Sequence, residues 1–120
     1  MVLPSPIDRE ALNRLFEAVG SDPQFLAELL DEYFSDSLAQ FENMVAALAS
    51  HDPEAFRRAA HSLKSNSANF GALALSGKFK ELEDLGKSGH LEGVESLLEE
   101  AGAEYGQVKI ALESALKEMS

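Results

Sequence analysis

Residues 23–50, PQFLAELLDEYFSDSLAQFENMVAALAS, decide the fold. Their apolar side chains recur at Leu26, Leu29/Leu30, Tyr33/Phe34, Leu38, Phe41, Met44/Val45 and Leu48, with Ser37 beside Leu38 in the same stripe. A three-four spacing held for about seven turns predicts one long amphipathic helix of the kind that packs in bundles. It opens on Asp22-Pro23, a side-chain acceptor for the free N–H groups followed by a residue that needs none at the first helical position.

The chain on either side follows the same pattern. Upstream, Ile7, Leu12, Leu15, Phe16 and Val19 form a one-sided stripe that begins near Asp8 and is stopped by Gly20. Downstream, His51-Asp52-Pro53 repeats the start signal for a third helix carrying Phe56, Ala59/Ala60, Leu63, Ser67 and Phe70. Asn69-Phe70-Gly71 either ends or bends that helix. A fourth, from about Ala72 to Ser88, presents Leu75, Phe79, Leu82 and Leu85, with Gly86 near its end. A fifth, from about Leu91 to Glu118, presents Val94, Leu97/Leu98, Ala101, Tyr105, Val108, Leu112 and Ala115/Leu116. In its middle Gly102 and Gly106 cost about 1 kcal/mol each relative to alanine. No stretch alternates with period two, and the prolines stand at ends and boundaries. The expected fold is all-α: an antiparallel up-down four-helix bundle with a short additional N-terminal helix over one end. Residues 1–7 read as a tail and residues 8–119 as a single domain.

Composition narrows the function. A chain of 120 residues suits one core. With no cysteine it has no disulfide, thiolate metal site or cysteine nucleophile. No apolar run approaches the ~20 residues of a membrane span. Met-Val-Leu-Pro-Ser-Pro lacks the basic and apolar regions of a signal peptide, so a cytoplasmic protein is expected. The net charge of −11 disfavours nucleic acid and anionic lipid as partners. That charge is uneven: residues 57–87 hold six basic and three acidic side chains, the remainder four basic and eighteen acidic. The three histidines are 10 and 29 residues apart, with no Glu-x-x-His pair, so no metal site is expected. His51 ends the second helix, where a cation suits the dipole, and His90 lies in a turn. There is no glycine-rich phosphate loop, nucleotide fingerprint or Ser-His-Asp candidate.

The basic quarter contains Arg57-Arg58-Ala59-Ala60-His61-Ser62-Leu63-Lys64-Ser65. His61 lies about 100° around the helix from the apolar stripe. Its neighbours at three and four residues are Arg57, Arg58, Lys64 and Ser65. Flanking cations oppose a second positive charge on the ring, and neutral imidazole is the nucleophilic form. Lys64 stands where an ammonium could meet a phosphoryl group. Two readings remain open on these residues alone: a solvated charged face, or a histidine poised to receive a phosphoryl group.

The run Ala60-His61-Ser62-Leu63-Lys64-Ser65-Asn66-Ser67-Ala68-Asn69-Phe70-Gly71-Ala72 resembles the phosphoacceptor motif of histidine-containing phosphotransfer (HPt) domains, and Leu82-Glu83-Asp84-Leu85-Gly86-Lys87 resembles that family's second element. The Asp22-Pro23 opening is also similar. The likeness runs from about residue 8 to 118. It implies a phosphorelay intermediate without kinase activity of its own. His61 matches the phosphoacceptor and Lys64 the residue that steadies the phosphoryl group. Glu83 matches a position that accepts a hydrogen bond from Nδ1–H, which leaves Nε2 bare; alternatively it is one more solvated acid. Lys87, one turn on, is a candidate second cation. Ser65 replaces the usual glycine beside the histidine, which puts partner range and rate in question. Asn66, Ser67 and Ala68 are small as well, and close packing against the next helix is the simpler account of Ser67 and Ala68.

The same resemblance implies response-regulator receiver domains or a hybrid histidine kinase as partners. It implies no cofactor in this chain, Mg²⁺ being brought by the receiver, and a monomer. Ile7, Leu12, Phe16, Phe25, Arg57, Arg58 and Ala68 are the expected docking residues; the first four serve equally well to seal the end of the bundle. Two alternatives stay open: a helical scaffold that binds receivers without transfer chemistry, and the phosphoacceptor domain of a hybrid or chemotaxis-type kinase.

Overall fold

The structure, a computed structural model, describes residues 5–120, so most of the expected tail lies outside the described residues. Five helices and no strand occur among the described residues: α1 (Arg9–Ala18), α2 (Pro23–Ala49), α3 (Pro53–Asn69), α4 (Leu73–Ser88) and α5 (Val94–Met119). Three starts follow the same chemistry. Asp8, Asp22 and Asp52 each accept hydrogen bonds from backbone N–H groups of the first turn, and proline occupies the first position of α2 and α3. The other two starts have no side-chain cap. Ala72 stands at the cap position of α4. α5 begins at Val94, because Gly93 in a left-handed conformation holds Leu91 and Glu92 outside the helix. His51 is not the last residue of α2: the helix ends at Ala49, and His51 stands in the turn at φ 53.

Helix α3 packs on α2 and α4, and α5 packs on α4 and α2, so the four long helices close a ring. Cross-contacts along α3–α4 pair Arg57 with Gly86, His61 with Glu83 and Lys64 with Ser76. Partner numbers fall on α4 as they rise on α3, so these two helices run antiparallel. Between α2 and α3, Asn66 pairs with Asp36 and Ser67 with Tyr33, in the same opposed sense.

Phe56, Phe79, Leu26, Met44, Leu63, Leu75, Leu82 and Leu112 fill the ring and are fully buried. Burial of each is worth about 1.5–3 kcal/mol relative to exposure. Tyr33 stacks on Phe70 at 4.8 Å, and its hydroxyl meets Ser67 Oγ at 2.8 Å. Burial pushes the Tyr33 phenol up to about 12 against the opposing pull of the Ser67 hydrogen bond. Ser67 therefore packs toward α2, the preceding helix, not the next one. Leu38 and Val45, placed in the α2 stripe by sequence, are 63% and 59% exposed. They lie about 100° or more around the helix from Leu26 and Met44, beyond the reach of the packed face, and Ala47 is buried instead.

Gly71 ends α3. Its φ is +82, a β-carbon there would stand 2.6 Å from the Asp8 carbonyl oxygen, and its own carbonyl accepts from Asp8 N at 2.7 Å. This contact pins the entry to α1 against the α3–α4 turn. It buries Ile7 and Leu12 in the core, so neither is available as a docking residue.

Candidate functional site

His61 sits in the middle of α3 with its side chain 55% exposed. Glu83 approaches it from α4 with only 5% of its side chain exposed. Periodicity explains both. His61 is one step off the stripe of Phe56, Ala60 and Leu63, so it emerges at the rim of the α3–α4 seam. Glu83 directly follows the buried Leu82 and is turned into the same seam.

Glu83 uses one oxygen for each of two partners. Oε2 lies 2.6 Å from His61 Nδ1, and Oε1 accepts from Lys64 Nζ at 2.7 Å. Burial pushes the Glu83 carboxyl up, but the hydrogen bonds from Lys64 and His61 and their nearby charges outweigh it and hold its pKa below the ordinary glutamate value. An ionised carboxylate only accepts, so His61 Nδ1 must be the donor. In the neutral ring this leaves Nε2 with a free lone pair. Glu83 is thus a buried acid hydrogen-bonded to His61 and Lys64, and not a solvated one.

The surrounding α3–α4 contacts hold this trio in register. Ser76 Oγ, in the first turn of α4, donates to the Lys64 carbonyl at 2.9 Å. One turn before His61, Arg57 grips Glu54 in a two-pronged pair at 2.6 and 2.9 Å. The expected basic patch is therefore partly self-neutralised: Lys64 by Glu83 and Arg57 by Glu54. Arg58 does not join it, because it lines a cleft on the α2 side of α3 with Ser62, Gln40 and Asn43. Ser65 is exposed, and four residues of helix carry it to the His61 face. Lys87 is exposed in the last turn of α4 and makes no ion pair among the described residues.

Of the expected docking residues that remain accessible, Phe25 is 46% exposed at the start of α2, while Phe16 and Ala68 are half-buried. Ser76 and Gly86 did not stand out as site residues in the sequence. A serine in the first turn of a helix has many uses, and its link to Lys64 depends on how α4 slides along α3. A glycine inside an amphipathic helix is the one local sign of a close crossing there.

The comparisons with known proteins bear on the family and the fold. The Hpt domain family model matches residues 28–119. A solved structure, that of histidine-containing phosphotransfer protein B from Pseudomonas aeruginosa PAO1, is similar with a TM-score of 0.85 and 32% sequence identity over 98% of each chain. No curated protein matches the chain. By its five-helix fold and a family match that spans most of its length, this chain belongs to the Hpt domain family, the phosphotransfer proteins of two-component signalling.

Proposed function

We propose that this protein is a phosphorelay intermediate that accepts a phosphoryl group on Nε2 of His61 and passes it to the aspartate of a receiver domain. The observation that carries the reading is the 2.6 Å contact between His61 Nδ1 and the buried Glu83 carboxylate, which presents Nε2 as the free nitrogen of a half-exposed ring. In the forward step the Nε2 lone pair attacks phosphorus of a receiver aspartyl phosphate. The N–P bond forms as the P–O bond to the aspartate breaks, and the aspartate leaves as a carboxylate. The positive charge gained by the ring faces Glu83 through Nδ1–H, where a fixed carboxylate stabilises it without reorganisation. Lys64, three residues along the same helix, turns from Glu83 toward the phosphoryl oxygens. The reverse sequence delivers the group to a second receiver, or a histidine kinase serves as the first donor.

In this reading Mg²⁺ belongs to the receiver, and the chain supplies orientation and charge. Residues 8–119 form one domain, an antiparallel up-down four-helix bundle with α1 across one end, acting as a cytoplasmic monomer. Among the described residues no helix is long and apolar enough to cross a membrane. The receiver docks over the exposed rim of α3 and the α1–α2 end, with Phe25, Phe16, Ala68 and Ser65 in its footprint.

A transfer assay with a phosphorylated receiver and Mg²⁺ tests the reading. Label on the wild-type protein that resists base, is lost in acid and is absent from His61→Gln is the expected result. An inert wild type, with both receivers and a histidine kinase offered as donors, overturns transfer and leaves a receiver-binding scaffold.

A further inference from the structure

Gly86 is buried inside α4, three residues after Glu83 and on the same side of the helix. A β-carbon built on it would stand 3.0 Å from Arg57 Cα, Cβ and N. Arg57 in turn is four residues before His61. The Gly86–Arg57 crossing and the Glu83–His61 bond are therefore successive rungs of one antiparallel seam, a single turn apart. Beyond the bond, the Ser76 hydroxyl anchors the Lys64 carbonyl at 2.9 Å. Ser76 fixes how α4 slides along α3, and the Gly86 crossing fixes how near the two helices come.

That nearness matters because the Glu83 side of the His61–Glu83 bond is confined. Glu83 is buried and already spans two partners, so it cannot follow a retreating helix without giving up Lys64. Among the glycines of α4, Gly86 alone is crowded: a methyl on Gly77 would meet nothing within 4 Å. Gly86 costs helix propensity, and its return is the close approach of two backbones.

We propose that Gly86 is a positioning residue for His61: by carrying no side chain where α4 crosses the α3 backbone at Arg57, it sets the helix separation at which Glu83 holds Nδ1. This rests on His61 being the phosphoacceptor, and it makes the α3–α4 distance the variable that tunes the acceptor ring.

The test is a graded series, Gly86→Ala and Gly86→Val, with Gly77→Ala as the control on the same helix. Two readouts are taken on the full chain. Long-range ¹H–¹⁵N correlation of the His61 ring, at a pH where it is neutral, reports which nitrogen carries the proton and needs no phosphoryl donor. Phosphoryl acceptance from a phosphorylated receiver reports reactivity. A misplacement of 1 Å costs on the order of 10²-fold in rate, so the few tenths of an ångström forced by alanine should cost about fourfold, and valine more. The ring signals should move in the same order, away from a pure Nδ1–H form, while Gly77→Ala leaves both readouts unchanged. Wild-type ring signals in a folded Gly86→Ala protein overturn the proposal, even if its rate falls. If wild type itself accepts no phosphoryl group but the ring signals shift as stated, positioning stands and the phosphotransfer reading fails.

Discussion

Glu83 is the side chain on which the most physics converges. It is nearly buried, it is ionised, and both of its oxygens are committed. An uncompensated buried carboxylate would cost several kcal/mol, so its charge is tolerable only because Lys64 and His61 meet it. Replacing it with glutamine keeps an acceptor for Nδ1–H but sets an amide against the Lys64 ammonium. Glu83→Gln should lower stability at pH 7 by about 1–2 kcal/mol, read by urea denaturation. The pH dependence has a definite sign. The folded protein holds the Glu83 carboxyl below its ordinary value near 4.5, so its stabilisation is present above that value and is lost as pH falls through the folded one. The gap between wild type and Glu83→Gln should therefore close on acidification below about pH 4.5; a gap that widens there would contradict the assigned charge state.

Among the elements, the α3–α4 turn couples a local backbone conformation to the packing of α1. Gly71 adopts a conformation that L side chains rarely take, and it touches the Asp8 carbonyl from a position where a β-carbon does not fit. Gly71→Ala should cost about 2–3 kcal/mol, from backbone strain and from loosening of the α1 entry. The loss should appear as a lower urea midpoint with an unchanged slope. His61 lies ten residues away along α3, on the α4 seam, so the ring signals of the folded variant should match those of wild type. That separates a residue that anchors α1 from one that positions the acceptor.

In the whole molecule the ring of helices divides the surface unequally. The α3–α4 seam carries the candidate site, and the α2 and α5 sides carry most of the acidic charge as well as Leu38, Val45 and Ile110 in the open. The burial pattern predicts how substitutions divide. Leu38→Gln should change stability by no more than about 0.5 kcal/mol, while Met44→Ala, six residues on in the same helix, should cost about 2–5 kcal/mol. Equal effects in thermal or urea unfolding would mean that α2 is rotated from its assigned orientation. An acidic surface also bears on partners: it repels like-charged surfaces.

Much of this was readable in advance. Local chemistry acts within a turn or two: aspartate caps, prolines at first positions, and the three-four recurrence of apolar side chains define where the helices lie and which residues stand near their packed faces. His61, Lys64 and Glu83 were nominated by the resemblance of two separate stretches, residues 60–72 and 82–87, to a family pattern; position alone left Glu83 a solvated acid. What the linear order left open was every quantity that depends on a second helix. The rotation of α2 decided that Ala47 is buried and Leu38 is not. The docking of α1 on Gly71 sent Ile7 and Leu12 into the core, and the reach of Glu54 and Glu83 consumed charges that had looked free. The separation of α3 and α4, set where Gly86 meets Arg57, brought a carboxylate within 2.6 Å of a histidine 22 residues away. Periodicity constrains angle and rise along one axis, but the distance between two axes comes from side-chain volumes on both, and only packing sums them.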